Sequence, residues 1–408
     1  MHVVIYEGSH WHDFLPLTLT RPVFWLRCGA TTLLEKQLRM SRATRVSLWV
    51  RPEMVPFVQR SVIPTLSIPA TINQPLDDEP ALLLAARTLH LSTFERPDKD
   101  CVVLEKDNLV RLAYTHSPGL SPDDIMNRTE AWTRLAKLPQ AMPQTRFPRN
   151  WADLISWNEE MIVCDSIFWT QGPPPAGRAE LVNEFDIHAE ENVTLGAGVV
   201  LDASRGPVLI GRDATIGAGS VIEGPCHIGE GVRIQPQSLI RPGTSLGPHC
   251  RIGGEVGNCI FHSHSNKSHY GFVGDSAVGS WVNLGAGTTT SNLKSTYGLI
   301  KMRIANQEVQ SERVLLGCAI GDHAKTATNS NLQAGGYIGV ASLIALSNRI
   351  PHVVPSFQFW TDDAREPMPV DKAIDVATRV LPRRGLAIDE TDVAVFRYAA
   401  EMAAKHGG

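Results

Sequence analysis

Apolar residues recur at every sixth position through the middle of this chain. Eight aliphatic residues keep this interval without a break: Ile210, Ile216, Ile222, Ile228, Ile234, Ile240, Leu246 and Ile252. Helices repeat every 3.6 residues and strands every 2, so a period of six fits neither. It is typical of a parallel β-helix, in which three hexads close one triangular coil and each hexad turns one apolar side chain inward.

A second run of hexads continues the pattern toward the carboxyl end. Its inward positions are Val278, Leu284, Ile320, Thr326, Leu332, Ile338, Ile344 and Ile350. The rhythm is interrupted over 258–270 and 289–311, so we expect both stretches to loop out of the coil. Insertions in a repeat scaffold often carry function, although plain insertions remain the alternative.

The regions on either side of the hexads follow other patterns. Residues 1 to about 180 combine short apolar runs, at 3–5 and 47–50, with helical spacing over 31–40, which is typical of an α/β domain. A further helix is predicted over 151–166, with Asn150 as its cap, leading into the β-helix.

The tail after Pro355 predicts two helices, over about 370–381 and 390–405, which would cap the β-helix or pack on a neighbouring subunit. The predicted domains are therefore 1–180, 181–355 and 356–408.

Composition and charge exclude several classes of protein. The 408 residues carry a net charge of −4, so the sequence shows no excess of basic residues that would indicate binding to nucleic acid or to a membrane surface. No window approaches the ~18 apolar residues that span a bilayer, and the amino terminus lacks a signal-peptide pattern, so we expect a cytoplasmic protein. The seven cysteines contain no CxxC pair, which argues against a disulfide framework or a zinc site.

The segment GFVGDSAVGSWVNLGAGTTTSNLK, residues 271–294, is more specific than a generic hexapeptide repeat. With His269 and the segment LIRPG at 239–243, it resembles the acetyltransferase half of the bifunctional glucosamine-1-phosphate N-acetyltransferase/N-acetylglucosamine-1-phosphate uridylyltransferase family, the GlmU-like proteins. The resemblance covers most of residues 185–350. It implies a left-handed β-helix, a homotrimer, acetyl-CoA as cosubstrate and an amino-sugar phosphate, by resemblance glucosamine 1-phosphate, as acceptor.

The same resemblance implies roles for individual residues. His269 matches the general base, and an imidazole, whose ordinary pKa lies near neutrality, suits removal of a proton from the sugar amine. Asn283 and Asn292 match positions that hold the sugar and its amine. Ala286 matches a position whose backbone contacts the acetyl-CoA thioester.

The acceptor's phosphate group has its own predicted ligands. Arg241, in LIRPG, matches a sugar-phosphate ligand, a role that suits a planar guanidinium. Lys294 is a weaker candidate for the same phosphate. The chain departs from the family at two positions, since an expected lysine is Gly257 and an expected tyrosine is Phe272. Lys267 would compensate for the missing lysine.

Residues 15–36, LPLTLTRPVFWLRCGATTLLEK, resemble the start of a sugar-phosphate nucleotidylyltransferase. The family's glycine-rich phosphate loop is replaced by YEGSHWHDF, and the lysine expected after Arg21 and Pro22 is Val23. Both losses remove groups that would contact nucleotide phosphates. We therefore expect a divergent or degenerate nucleotidyltransferase domain.

Some ligand-binding groups remain in this domain. Arg21, Arg27 and Lys36 are candidates for holding a nucleotide sugar, and Asp77 and Asp78 are available for Mg²⁺, which is needed only if the domain is active.

Three interpretations of function follow. The favoured one is an acetyl-CoA-dependent N-acetyltransferase fused to a degenerate nucleotidyltransferase, in UDP-N-acetylglucosamine-type nucleotide-sugar biosynthesis. The second is a trimeric metal enzyme of the gamma-class carbonic anhydrase type, with His262, His264 and His269 as ligands. The third is a non-catalytic trimer that binds sugar nucleotides. An active nucleotidyltransferase with a mainly structural β-helix is a further alternative.

Overall fold

The structure of the chain, a computed structural model, describes residues 1–77, 79–90, 92–105, 110–116, 119–127, 129–141, 145–173, 175–304 and 306–406. As predicted, it has an N-terminal α/β domain, a left-handed parallel β-helix and a C-terminal pair of helices. None of the described helices is long and apolar enough to cross a membrane.

A six-stranded sheet forms the centre of the N-terminal domain. In spatial order its strands are Ala70–Ile72, Arg45–Trp49, His2–Tyr6, Ala81–Ala85, Val110–Thr115 and Cys101–Leu104. The first four pair in parallel and the last two pairings are antiparallel. The predicted apolar runs at 3–5 and 47–50 fall on two adjacent strands. All five residues of His2–Tyr6 are buried, as in a sheet covered on both faces.

The helices of this domain surround the sheet. The α-helices are Leu33–Met40, Val55–Phe57, Pro122–Asn127, Glu130–Leu135 and Trp151–Ser166, and two short ribbons pair Arg27–Cys28 with Thr31–Thr32 and Leu89–His90 with Thr145–Arg146. Helix Leu33–Met40 begins in a capping box of Thr32 and Glu35. The helix Trp151–Ser166, called the linker helix below, begins at Asn150, whose side chain accepts the N–H of Ala152 at 3.0 Å, as predicted.

Three parallel sheets form the sides of the β-helix. Face A contains Thr215–Ile216, Arg233–Ile234, Arg251–Ile252, Asn266–Lys267, Lys325–Thr326, Leu343–Ala345 and Gln358–Thr361, the last paired with Arg365–Pro367. Face B contains Val221–Glu223, Leu239–Ile240, Glu255–Gly257, Phe272–Gly274, Thr289–Thr290 and Asn331–Leu332. Face C contains Ile187–Ala189, Val208–Ile210, Cys226–Ile228, Thr244–Leu246, Ile260–Phe261, Ala277–Val278, Ala319–Ile320, Tyr337–Ile338 and Val353–Val354. Strand Ala176–Val182 starts the stack by pairing with Thr194–Asp202.

The hexad positions form the interior of the β-helix, as predicted. Ile210, Ile228 and Leu246 lie in register on consecutive coils, so three hexads close each coil. All sixteen predicted inward residues are buried, the most exposed being Thr326 at 7%. Cys226 and Cys250, at the small positions of their hexads, are buried thiols. The period thus reports a stack of coils in which each side chain packs on its counterpart one coil away.

The two interruptions of the period have different structures. The expectation that 258–270 loops out is wrong for most of its length, because Ile260–Phe261 stays on face C and Asn266–Lys267 stays on face A. This coil is only shorter at its corners, which shifts the sequence period without breaking the stack. The expectation that 289–311 loops out is confirmed from residue 293 onward. A β-bridge between Leu293 and Leu315 closes the base of a segment that leaves the coil, called the excursion below.

This excursion contains the hairpin of Lys301–Ile304 and Gln307–Gln310. It serves as a brace to the N-terminal domain, because Arg313 donates to Asp153 at 2.6 Å and to Ser156 at 2.7 Å on the linker helix.

The other parts of the chain cover faces C and A. The linker helix packs on face C, where Asn158 donates to the carbonyl of Gly243 at 2.7 Å and to the hydroxyl of Ser245 at 3.0 Å. The C-terminal helices, Val370–Val380 and Glu390–His406, were predicted within a residue of these bounds, and the first lies beside face A. Outward residues of face B remain partly exposed, among them Val221, Leu239, Glu255, Phe272 and Thr289.

Candidate functional site

His269 lies at the corner where the chain passes from face A to face B, and it is exposed. Its backbone is held from inside the coil by Lys267, whose Nζ donates to the carbonyl oxygens of Gly253 at 2.7 Å and of His269 at 2.8 Å. Lys267 is only 1% exposed, and burial lowers its pKa to about 8. The expectation that Lys267 binds the sugar phosphate is therefore corrected, because its ammonium is enclosed and occupied by two carbonyls.

Ala286 lies on the same corner as His269, one coil further on. The N–H of Gly287 donates to the carbonyl of Tyr270 at 3.0 Å, and the N–H of Asn329 donates to the carbonyl of Ala286 at 2.6 Å. The hydroxyl of Tyr270, which is 67% exposed, donates to the side chain of Asn329 at 3.1 Å. Sequence reasoning missed Tyr270 and Asn329, for which no motif gave a signal.

Arg241 lies beside a flat part of face B. Its exposed guanidinium pairs with Glu255 at 2.9 Å. A Cβ added at Gly257 would lie 3.1 Å from the Cβ of Arg241, and one at Gly274 would lie 2.3 Å from the ring of Phe272. The Arg241 side chain therefore packs directly over Gly257 and the Phe272 ring over Gly274. We call these two glycines, with the two side chains that lie on them, the glycine floor. At the position of the lost family lysine, Gly257 thus lets the Arg241 side chain pack against the backbone.

Asn292 bounds the same floor, since a Cβ on Gly274 would lie 3.0 Å from its Nδ2. That amide donates to Asp275 at 2.6 Å, and Asn258 donates to the other carboxylate oxygen at 2.6 Å. Asp275 is 8% exposed and was not singled out from the sequence. Because the carboxylate holds the NH₂ group, the carbonyl oxygen of Asn292 is left to accept a hydrogen bond from a ligand.

Asn283 lies on face A, away from the floor on face B. It accepts the amide of Asn266 at 3.1 Å, and both line a cavity between face A and helix Val370–Val380. Lys294 donates to the carbonyl of Leu299 at 2.6 Å within the excursion. Within one chain the structure thus places Arg241 and Asn292 at opposite ends of the glycine floor, places His269 and Ala286 at the neighbouring corner, and leaves Asn283 on another face.

The histidines of the metal-enzyme interpretation do not converge. His262 is 3% exposed in the interior, while His264 stacks on Trp281 with 4.5 Å between ring centroids. Burial lowers the pKa of His264 to about 4. Across the described ranges, no cluster of three or more His, Cys, Asp or Glu side chains is placed to bind a metal ion.

Of the three candidates for nucleotide-sugar binding in the N-terminal domain, Arg21 and Lys36 are buried and Arg27 is partly buried, and all three are engaged by groups of the protein, which corrects the expectation. Arg21 is 5% exposed and forms an ion pair with Asp322 of the β-helix. Lys36 is 1% exposed, with its Nζ 2.5 Å from the carboxylate of Asp165 on the linker helix. Arg27 donates to the carbonyl of Ala30 at 2.5 Å, and burial lowers the pKa of its guanidinium. These cations are parts of the interior and of the contacts between domains.

Side chains fill the region where a phosphate loop would lie. Residues 9–14 of the replaced loop form a 3-10 helix that buries Trp11. Arg51 covers the Trp11 ring at 4.2 Å and pairs with the buried Glu7 at 2.6 Å. The cavity beside this loop measures about 40 Å³, whereas sites for small molecules hold roughly 300–1,000 Å³. Of the metal candidates, Asp77 pairs with Arg45 at 3.1 Å, and Asp78 lies outside the described residues.

Comparisons with known proteins found a family match and several similar proteins. The sugar nucleotidyl transferase family matches residues 3–173. The bifunctional protein GlmU of Ralstonia nicotianae is 43% identical over 120 residues, which cover 28% of this chain and 26% of that protein. Part of this chain is therefore similar to GlmU proteins.

Two further relatives show the same relationship. GlmU of a Synechococcus species is 33% identical over 194 residues, covering 43% of this chain and 28% of its own length. A bifunctional sugar-1-phosphate nucleotidylyltransferase/acetyltransferase of Sulfurisphaera tokodaii is 37% identical over 142 residues, covering 34% of this chain and 35% of its own length. The matches thus span only about a quarter to a third of these curated relatives.

Proposed function

We propose that this protein transfers an acetyl group from acetyl-CoA to the amine of a sugar phosphate, with glucosamine 1-phosphate as the first candidate. The observation that carries the proposal is the exposed His269, fixed through its carbonyl by the buried Lys267 at the edge of the glycine floor. The acetyltransferase named in the Sulfurisphaera tokodaii relative supports it.

The floor on face B suits such an acceptor. A sugar ring would pack against the Phe272 ring and the stem of Arg241, while the guanidinium of Arg241 binds the phosphate and the carbonyl of Asn292 accepts from a hydroxyl or amine. Arg241 can leave Glu255 at little energetic loss, because both side chains are substantially exposed.

In the transfer step the sugar nitrogen attacks the thioester carbonyl. A C–N bond forms and the C–S bond breaks, His269 takes the amine proton, and the thiolate of coenzyme A leaves and is protonated. Ala286, on the same corner, is the candidate contact for the thioester. No metal ion takes part in this scheme.

We further propose a homotrimer that closes over face B. Face C is occupied by the linker helix, whereas Val221, Leu239 and Phe272 form a partly exposed apolar strip on face B. A second copy of the chain is the occupant that a three-sided helix accommodates in a closed threefold ring. Light scattering should give three times the 44.7 kDa chain mass, and a stable monomer would contradict it.

The N-terminal domain is proposed to have lost nucleotidyl transfer. Its phosphate-loop region holds only about 40 Å³, and Arg21 and Lys36 are engaged in buried ion pairs. Release of pyrophosphate from UTP and N-acetylglucosamine 1-phosphate at ordinary rates, roughly 1 to 10³ per second, would contradict this.

The role of His269 is tested by His269→Ala. We expect kcat for acetyl transfer to fall by about 10²- to 10⁴-fold, the usual contribution of a positioned general base, with little change in acetyl-CoA affinity. His249→Ala is the matched control, because His249 is another exposed histidine on a corner of the β-helix. If kcat of His269→Ala stays within about threefold of wild type at saturating substrate, His269 is not the base.

A further inference from the structure

A lysine, Lys267, lies at an inward position of the β-helix. It pairs in register with Ile252 on the preceding coil, and the bridge between Asn266 and Asn283 places Leu284 at the same position on the following coil. Both of these inward neighbours are aliphatic and at most 3% exposed, and Lys267 itself is 1% exposed. Burial of an ammonium is costly unless its N–H groups are bonded, so packing alone does not explain a lysine at this position.

The corner between faces A and B is shorter here than it is one coil earlier. Ile234 and Ile240 are six residues apart across the earlier corner, whereas Ile252 and Val256, their partners on the next coil, are four apart. The shortening removes the small residue that a full hexad turns into the corner. The shorter corner has therefore lost a group that the longer one uses.

On the longer corner that small residue is a serine. Ser238 donates to the carbonyl of Gln235 at 2.6 Å from inside the coil. The shorter corner, 253–255, carries no hydroxyl, and its Gly253 carbonyl accepts instead from the ammonium of Lys267 at 2.7 Å. Lys267 thus takes the place of a serine as the donor to a corner carbonyl.

The same ammonium also holds the corner of the following coil. Its Nζ donates to the carbonyl of His269 at 2.8 Å, so one cation joins the corners at Gly253 and His269. A charged donor forms a stronger hydrogen bond to a carbonyl than a neutral hydroxyl does. The contact is to the backbone of His269, so it restricts the corner while the imidazole stays exposed.

Three titratable groups on the neighbouring elements surround this ammonium. They are Glu255 on face B, Cys259 beside face C and His269 at the corner. Burial lowers the pKa of Lys267 to about 8, and the weaker effects of Cys259 and Glu255 oppose this shift. Burial raises the pKa of the Cys259 thiol, and Glu255 pairs with Arg241 at 2.9 Å. The ammonium therefore loses its proton at a pH where an exposed lysine keeps it.

We propose that Lys267 is a positioning residue for His269, whose ammonium fixes the corner that presents the imidazole to the glycine floor. The kinetic consequence, though not the contact, rests on the proposed acetyl transfer. His269 must be neutral to accept the amine proton, and Lys267 must be charged to hold the corner firmly. The rate should therefore rise with pH near neutrality and fall again above about pH 8.

Kinetics of Lys267→Met test this consequence. Methionine suits an inward position, and thermal melts with light scattering check that the variant folds and assembles as wild type does. We expect kcat for acetyl transfer to fall about tenfold to a hundredfold, as a small misplacement of a catalytic group can cause, with KM nearly unchanged. Ser238→Ala is the matched control, because it removes an interior donor from the corner one coil before Gly253 and should leave kcat unchanged.

The pH profile separates positioning from a loss of packing. Above about pH 8, wild-type kcat should fall as Lys267 loses its proton, whereas kcat of Lys267→Met should stay level because no ammonium remains to titrate. A merely structural lysine would change the melting temperature or KM and leave the shape of the profile as in wild type. That result overturns the proposal, as does a kcat of Lys267→Met within about threefold of wild type at saturating substrate.

A measurement without turnover keeps this proposal distinct from the proposed function. In NMR spectra of protein labelled with carbon-13 in its histidine rings, the His269 signal is the one that His269→Ala lacks. In wild type this signal should shift in a second step at about pH 8, and Lys267→Met should lack that step. Wild type that transfers no acetyl group contradicts the proposed function, whereas absence of the second step in wild type contradicts the coupling of Lys267 to His269.

Discussion

The two halves of this chain use buried cations in opposite ways. In the N-terminal domain, Arg21 and Lys36 each meet a buried carboxylate, from Asp322 and Asp165. In the β-helix, Lys325 meets only a backbone carbonyl beside a cavity. The same residue types thus meet a carboxylate in one half and only a neutral acceptor in the other, so the role of a cation in a family motif cannot be assigned until its partner is known.

The largest expected effect on stability comes from breaking a buried ion pair between a cation and a carboxylate. Arg21→Met should lower the free energy of unfolding by about 3–5 kcal/mol, because Asp322 is left buried without its cation. Urea denaturation measures it. Arg397→Met breaks an exposed ion pair with Asp371 and should lower the free energy of unfolding by less than about 1 kcal/mol. Similar losses in the two variants would remove the distinction between the two classes of cation.

Lys325→Met should raise the free energy of unfolding at pH 7, whereas Arg21→Met should lower it. The wild-type ammonium is buried without a carboxylate, and burial lowers its pKa from 10.5 to about 8. Between these pH values the unfolded chain holds the proton that the folded chain has lost, so the wild-type free energy of unfolding rises with pH. The variant should therefore be more stable than wild type at pH 7, and this advantage should disappear by about pH 10.5.

Urea denaturation of both proteins at pH 7, 8, 9 and 10 measures this difference. Other groups titrate in the same pH range, but both proteins contain them, so their contributions cancel in the difference between the two free energies of unfolding. A variant that is less stable than wild type at pH 7 would show that Lys325 has a stabilising partner after all.

The smallest effect on stability is expected at the exposed pair on face B. Arg241→Ala should change the free energy of unfolding by less than about 1 kcal/mol. Its KM for the sugar phosphate should rise about tenfold to a hundredfold, because a charged hydrogen bond to phosphate is lost. Arg212→Ala is a close control, since Arg212 has the same 53% exposure and pairs with Glu230 at 3.1 Å. Equal KM values in the two variants would exclude Arg241 from the site.

Part of the candidate site was accessible from the sequence. The resemblance singled out His269 and Ala286, and the structure places both at one corner of the β-helix. The inward turn of Lys267 and the support of Asn292 by Asp275 were not predictable, because a lysine or an aspartate near a corner can turn either way. The shortened coil at 258–270 was also missed, since deletions at corners alter the period but preserve the pairing.

The sequence by itself determined the β-helix, the linker helix and the tail helices, since their signals are local and periodic and each hexad packs on its own copies one coil away. Only the tertiary structure decided what the cations do. Arg21 meets Asp322 across 301 residues, and Lys36 meets Asp165 across 129. The tail likewise brings Arg384 to Asn266 across 118 residues. Such pairings depend on how separate elements dock, and no repeat or motif encodes them, because electrostatic partners are chosen by distance in space.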